Sequence, residues 1–86
     1  MKFEVLREKI DTIDDELLRL FEERMDVVAE IAAYKQGCGL PVLDQKREAA
    51  KHAAIAGKVR PENEPYAHIL YDTLFELSRR YQRHVR

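Results

Sequence analysis

Arg24 stands in the run RLFEERMDVVAEI where an apolar residue is expected. Counting outward, Leu6, Ile10, Ile13, Leu17, Leu20, Arg24, Val27 and Ile31 alternate in steps of four and three, the spacing of a helical heptad seam. A guanidinium on a buried helical face is costly unless a carboxylate or phosphate meets it, so the seam calls for an acidic partner or an anionic ligand. Lys35 follows about three helical turns later, nearly eclipsed with Arg24 and roughly 16 Å away along the axis. Both long side chains can lean toward one small ligand, with Val28 and Ile31 as an apolar floor between them.

Arg7 precedes Arg24 far enough along the same helix to be rotated by about 260° and displaced by roughly 25 Å. It cannot share a small ligand with Arg24 of its own chain, but an antiparallel partner helix would bring its own Arg7 close. In PVLDQKRE, Asp44 is of the type that caps a helix, with Arg47 and Glu48 projecting from the turn behind it. On spacing alone this is a cap with a neighbouring surface ion pair. Farther on, Tyr71, Phe75, Ser78, Gln82 and Val85 keep the four-three spacing and should face inward. Ser78 and Gln82 interrupt that row. Buried Ser and Gln need partners, so they either satisfy each other and nearby backbone or line a polar pocket.

These cationic and amide donors, set on otherwise apolar helical faces, point to a pocket for a small, multiply charged anion inside a helical bundle. No nucleophile and base pair, glycine-rich phosphate loop, metal set or cofactor motif accompanies them. The expectation is therefore no cofactor and no metal, and a reaction that needs only positioning and electrostatics.

The elements that must hold these residues follow from two breaks, GCGLP at 37–41 and GKVRPENEP at 57–65. The first helix should run from about Phe3 to Gln36, rich in Leu, Glu, Arg and Ala and free of Gly and Pro. A second should begin near Asp44 and stop at Gly57, with an apolar face made mostly of alanine that packs closely but buries little area. The third opens at NEPY, with Pro65 as its first helical residue, and runs to the C-terminus. With no β-type alternation the fold class is all α, a single domain over residues 1–86. A first helix of about 34 residues spans roughly 50 Å, beyond the roughly 30 Å of a small domain. Two shorter helices cannot cover its whole apolar face, so the expected architecture is an intertwined helical homodimer.

Composition narrows the partners. The 86 residues carry 15 Lys+Arg against 16 Asp+Glu, a formal net charge of −1, so no global field favours nucleic acid or an anionic membrane. The N-terminal stretch MKFEVLREKIDTIDDELL has charges every two or three residues and no apolar core, which argues against a signal peptide and for a cytoplasmic protein. Cys38, flanked by glycines, is expected as a turn thiol rather than a nucleophile. His52, His68 and His84 lie too far apart for metal-ligand spacing and are expected as surface or packing residues.

The runs LREKIDTIDDELLRLFEERMDVVAEIAAYK, PVLDQKRE and SRRYQ resemble the all-helical class of chorismate mutases over nearly the whole chain. The resemblance implies an intertwined dimer of three-helix protomers, each pair holding two active sites, and a cofactor-free Claisen rearrangement of chorismate to prephenate in the shikimate pathway to Phe and Tyr. Carried over by position, Arg24, Arg47 and the partner subunit's Arg7 would clamp the two substrate carboxylates, with Ser78 adding a contact. Glu48 would accept from the ring hydroxyl, and Asp44 would help bind substrate or shape the pocket. Lys35 and Gln82 would hydrogen bond to the ether oxygen whose bond breaks, so Lys35, Gln82 and Arg24 would carry the catalysis. The alanine-rich second helix departs from the pattern and bears on how firmly Arg47 and Glu48 are held. Such domains also occur fused to other enzymes of aromatic biosynthesis. Two rivals stand beside this reading: a lyase of the same fold that releases pyruvate from isochorismate, and a non-catalytic dimerisation or regulatory module. Polar residues at so many seam positions argue against the module, since packing alone does not require them.

Overall fold

The computed structural model describes residues 2–85, which form three α-helices and no strand: α1 over Phe3–Cys38, α2 over Gln45–Ile55 and α3 over Glu64–Val85. A short 3-10 turn, Pro61–Asn63, leads into α3. Its presence moves Pro65 to the second position of α3 instead of the first, still within the turn where a missing N–H costs nothing.

α1 outruns its expected end by two residues. Its stop is set by Gly39, whose φ of 69° lies in the left-handed region that glycine enters without steric cost. The Gly39 N–H reaches the Gln36 carbonyl and the Leu40 N–H reaches the Lys35 carbonyl at 2.8 Å, the paired bonds of a Schellman ending. Gly37 and Cys38 therefore stay helical, and Cys38 is an exposed free thiol in the last helical turn, not in the loop.

α2 starts where expected but ends early. Asp44 caps it, Oδ1 accepting from the Arg47 N–H at 3.0 Å. The helix closes at Ile55, two residues before Gly57, through turn bonds from Gly57 and Lys58 back to Ala54 and Ile55. Its inward face is Glu48, Lys51, His52 and the buried Ile55, spaced three, one and three. The alanines lie on the outside, contrary to the sequence expectation, because the longer side chains reach α3 and secure the packing that methyl groups cannot.

α3 packs against both other helices and centres the molecule. The buried residues are Val28 and Ala32 from α1, Ile55 from α2, and Phe75, Ser78 and Gln82 from α3. All of α1's share comes from its C-terminal half; from Lys2 to Leu20 every residue is exposed. The principal extents are 54 × 25 × 15 Å and the radius of gyration is 16.0 Å, against about 12 Å for a compact chain of this length. The protomer is thus a three-helix head on a bare helical arm. The heptad seam runs along that arm, with Leu6, Ile10, Ile13, Leu17, Leu20, Val27 and Ile31 between 42% and 55% exposed. Within one protomer α3 meets the neighbouring row, Val28 and Ala32, instead. Among the described residues no helix is long and apolar enough to cross a membrane.

Candidate active site

The local devices that end α1 and start α2 also place the polar side chains. Because the Schellman ending turns the chain immediately after α1, the loop folds back beside Lys35, whose Nζ donates to the Val42 carbonyl at 2.8 Å. Two residues later Asp44 caps α2 and presents Arg47 and Glu48 from its first turn. On the other side, Arg24 Nη1 donates to Ser78 Oγ at 2.6 Å, and the Ser78 hydroxyl donates in turn to the Leu74 carbonyl at 2.7 Å. The hydroxyl proton is thereby spent on α3's own backbone, and its lone pairs are left for the guanidinium. Among the described residues Arg24 meets no carboxylate, so the cation in the seam keeps its full charge and most of its donors.

Seven of the eight residues singled out from the sequence line one cavity of about 410 Å³: Arg24, Lys35, Asp44, Arg47, Glu48, Ser78 and Gln82. That volume suits a small metabolite. Val27, Val28, Ile31, Val42 and Phe75 supply apolar surface, as the expected floor between Arg24 and Lys35 required. Gln82 is 6% exposed, and its Oε1 has no hydrogen-bond partner among the described residues. A buried amide oxygen left unpaired costs about 1–3 kcal/mol, which a ligand or partner group entering the cavity can offset. Ser78 and Gln82 thus resolve as pocket residues and do not satisfy each other.

Arg7 is the exception. It lies on the bare arm, outside the cavity, with its guanidinium 4.5 Å from the centroid of the Phe3 ring. The geometry agrees with the expectation that Arg7 cannot reach Arg24's ligand within one chain.

Two cavity cations escaped the sequence reading, Lys51 and Arg79. With them the lining carries five cationic side chains against two carboxylates, Asp44 and Glu48. Arg79 Nη1 donates to both oxygens of Glu48, at 2.7 and 2.5 Å, so Glu48 pairs across helices and not with its neighbour Arg47. Sequence offered no way to choose between Arg79 and Arg80; the structure gives Arg80 to Glu76 on the exposed side of α3. The histidines also converge more than their spacing implied. His52 and His68 stack with Nδ1 atoms 2.7 Å apart, and their outer nitrogens meet Asp72 and Glu64. This chain of groups joins α2 to α3 outside the cavity, and among the described residues no set of three or more His, Cys, Asp or Glu forms a metal site.

A helical head with a cation-rich, apolar-floored cavity, and a neutral hydroxyl and a neutral amide in its wall, has the chemistry to hold and orient a small polyanion by electrostatics. Comparison with known proteins gives that chemistry a family. The chain belongs to the chorismate mutase type II family, whose model matches residues 6–83. It is 38% identical over 47 residues to a chorismate mutase of Methanocaldococcus jannaschii, a stretch covering 55% of this chain and 48% of that protein. It is 41% identical over 49 residues to the T-protein of Enterobacter agglomerans, covering 57% of this chain and 13% of the relative. Identity to the T-protein of Haemophilus influenzae is 40% over 45 residues, covering 52% and 12%. The matched stretch spans less than half the length of each of these relatives. No solved structure matches the chain significantly.

Proposed function

We propose that the chain rearranges chorismate to prephenate as an intertwined homodimer with shared active sites. The observation that carries this reading is the convergence of Arg24, Lys35, Arg47, Glu48, Ser78 and Gln82, from three helices, on one cavity. Family membership and the name of the Methanocaldococcus jannaschii relative support the substrate.

The reaction breaks an ether C–O bond and forms a C–C bond within one molecule, with no proton transferred and no cofactor. Arg24 and Arg47 hold the substrate carboxylates, and holding the flexible enolpyruvyl arm over the ring removes rotational freedom that the free molecule would lose on the way to the transition state. Lys35 and Gln82 then donate to the ether oxygen as negative charge develops there. The Lys35 ammonium has three donors, so its bond to Val42 orients it without exhausting it. Half a turn of the Gln82 amide exchanges its oxygen for its nitrogen and presents N–H to the same atom.

The dimer supplies what one protomer lacks. The bare arm exposes the Leu6, Ile10, Ile13, Leu17 and Leu20 seam, which an antiparallel copy would bury. Such a copy brings the partner subunit's Arg7 to the cavity as the third carboxylate clamp.

The test is direct. The purified chain is incubated with chorismate and the product identified, with Arg24→Ala as control. Prephenate from the wild type and not from the variant supports the assignment. Pyruvate released from isochorismate alone would make the chain the lyase of the same fold, and a folded dimer inert to both would make it a non-catalytic module.

A further inference from the structure

Glu48 is held more firmly than any other carboxylate in the cavity. Both its oxygens accept from the single atom Arg79 Nη1, and each side chain is 24% exposed, so the pair is largely withdrawn from water. A nitrogen placed between the two oxygens fixes the direction in which the carboxylate points. It occupies one side of each oxygen and leaves a lone pair on each for a second donor. The same pair joins the first turn of α2 to α3, next to Ser78, which receives Arg24 from α1.

Glu48 has a competing cation on its own helix. Lys51 is three residues on, at the spacing of neighbouring side chains on a helix, and it lines the same cavity. In the structure Lys51 Nζ instead lies 5.7 Å from the centroid of the Tyr71 ring. Without Arg79, Lys51 at helical spacing is free to pair with Glu48 and draw the carboxylate along α2, away from its present direction.

We infer that Arg79 is a positioning residue that aims the Glu48 carboxylate into the cavity as the acceptor for a hydroxyl on the substrate ring. This rests on the proposed mutase reading and adds to it the residue that makes ring recognition specific. Arg79 acts through Glu48, not on the breaking bond. The hydroxyl contact exists in both bound substrate and transition state, so its loss raises KM and leaves kcat nearly unchanged.

The experiment measures kcat and KM for chorismate in the wild type, Arg79→Met, Arg79→Lys, Glu48→Ala and the Arg79→Met/Glu48→Ala double variant, with helicity checked by circular dichroism. Arg79→Met should raise KM about tenfold or more, the scale of a hydrogen bond to a charged group, with kcat within about threefold of wild type. Arg79→Lys should recover part of that loss, since an ammonium keeps the charge but sits on a shorter, more flexible side chain than the guanidinium. In the Glu48→Ala background Arg79→Met should change kcat/KM by less than about threefold, because its target is gone. Equal losses in both backgrounds, or a fall confined to kcat, would overturn the inference. Should Arg79→Met not fold, the cycle run with Arg79→Lys decides by the same criterion. A wild type that does not turn over chorismate sinks the mutase reading and this inference with it; an active wild type with an additive cycle sinks the inference alone.

Discussion

Arg24 Nη1 lies 2.6 Å from Ser78 Oγ, so the polar break in α1's seam meets the polar break in α3's inward row. Neither residue is explained by packing within its own helix; together they place a charged guanidinium on the wall of the cavity. Ser78→Ala should leave the fold intact and lower kcat/KM for chorismate about tenfold, the scale of one hydrogen bond whose donor is charged. Arg24→Ala should cost about a hundredfold or more, and Arg24→Lys should recover little of it because the bidentate fork is missing. Steady-state kinetics on the three variants checks the order.

On the proposed reading a neutral amide, Gln82, meets the ether oxygen, so wild-type turnover should change little between about pH 6 and 8. Gln82→Glu should replace that plateau with a slope. A carboxyl donates only when protonated, so activity should rise as the pH falls and disappear as the pH climbs through the new group's pKa. Gln82→Leu, which cannot donate at any pH, should be slow throughout. A pH series of kcat on the three proteins distinguishes these outcomes.

Gly39→Ala tests the helix stop by itself. A Cβ there would meet nothing within 4 Å, so the cost is purely conformational: a φ of 69° is unfavourable for an L side chain by about 1–2 kcal/mol. The melting temperature should fall by roughly 4–8 °C per kcal/mol for a domain of this size. A fall in kcat should accompany it, since the same turn carries the Val42 carbonyl that orients Lys35, the proposed donor to the ether oxygen in the transition state.

Arg7 and Arg24 should complement each other between subunits. Homodimers of Arg7→Ala and of Arg24→Ala should both be nearly inactive, while subunit exchange between them should restore one working site per heterodimer, built from the two unmutated copies. Absence of recovery after exchange, verified by mass spectrometry, would rule out a site shared across the dimer.

Away from the site, the exposed Glu16 carboxyl is held below its ordinary range chiefly by its hydrogen bond from Arg19; partial desolvation opposes the shift, and the charge of Arg19 adds to it. A pKa lowered by folding stabilises the native state above the ordinary glutamate range, and that contribution fades as the pH falls through the lowered value. Carboxylate chemical shifts followed through an acid titration should show Glu16 taking up its proton later than an ordinary glutamate, and Arg19→Ala should return it toward the ordinary value. Since Glu16 is exposed, salt should weaken the effect.

The chain's covalent order was enough to determine the helices and to flag the chemistry. Heptad and four-three spacings, the Asp44 cap and the Gly and Pro breaks are local properties, and a local pattern can be read without knowing what lies opposite. That is why Arg24, Ser78 and Gln82 stood out: each violates a pattern on its own helix. Arg79 violates none, and neither do His52 and His68, because their roles depend on a residue from another helix. Only the tertiary structure decided that Glu48 belongs to Arg79 and not to Arg47, that the alanine face of α2 turns outward, and that α3 covers Val28 and Ala32 while Val27 and Ile31 of the seam stay about half exposed. Those choices are made by the angle and offset at which helices meet, and that geometry is set by the sum of many contacts distant in sequence, which no single stretch of residues encodes.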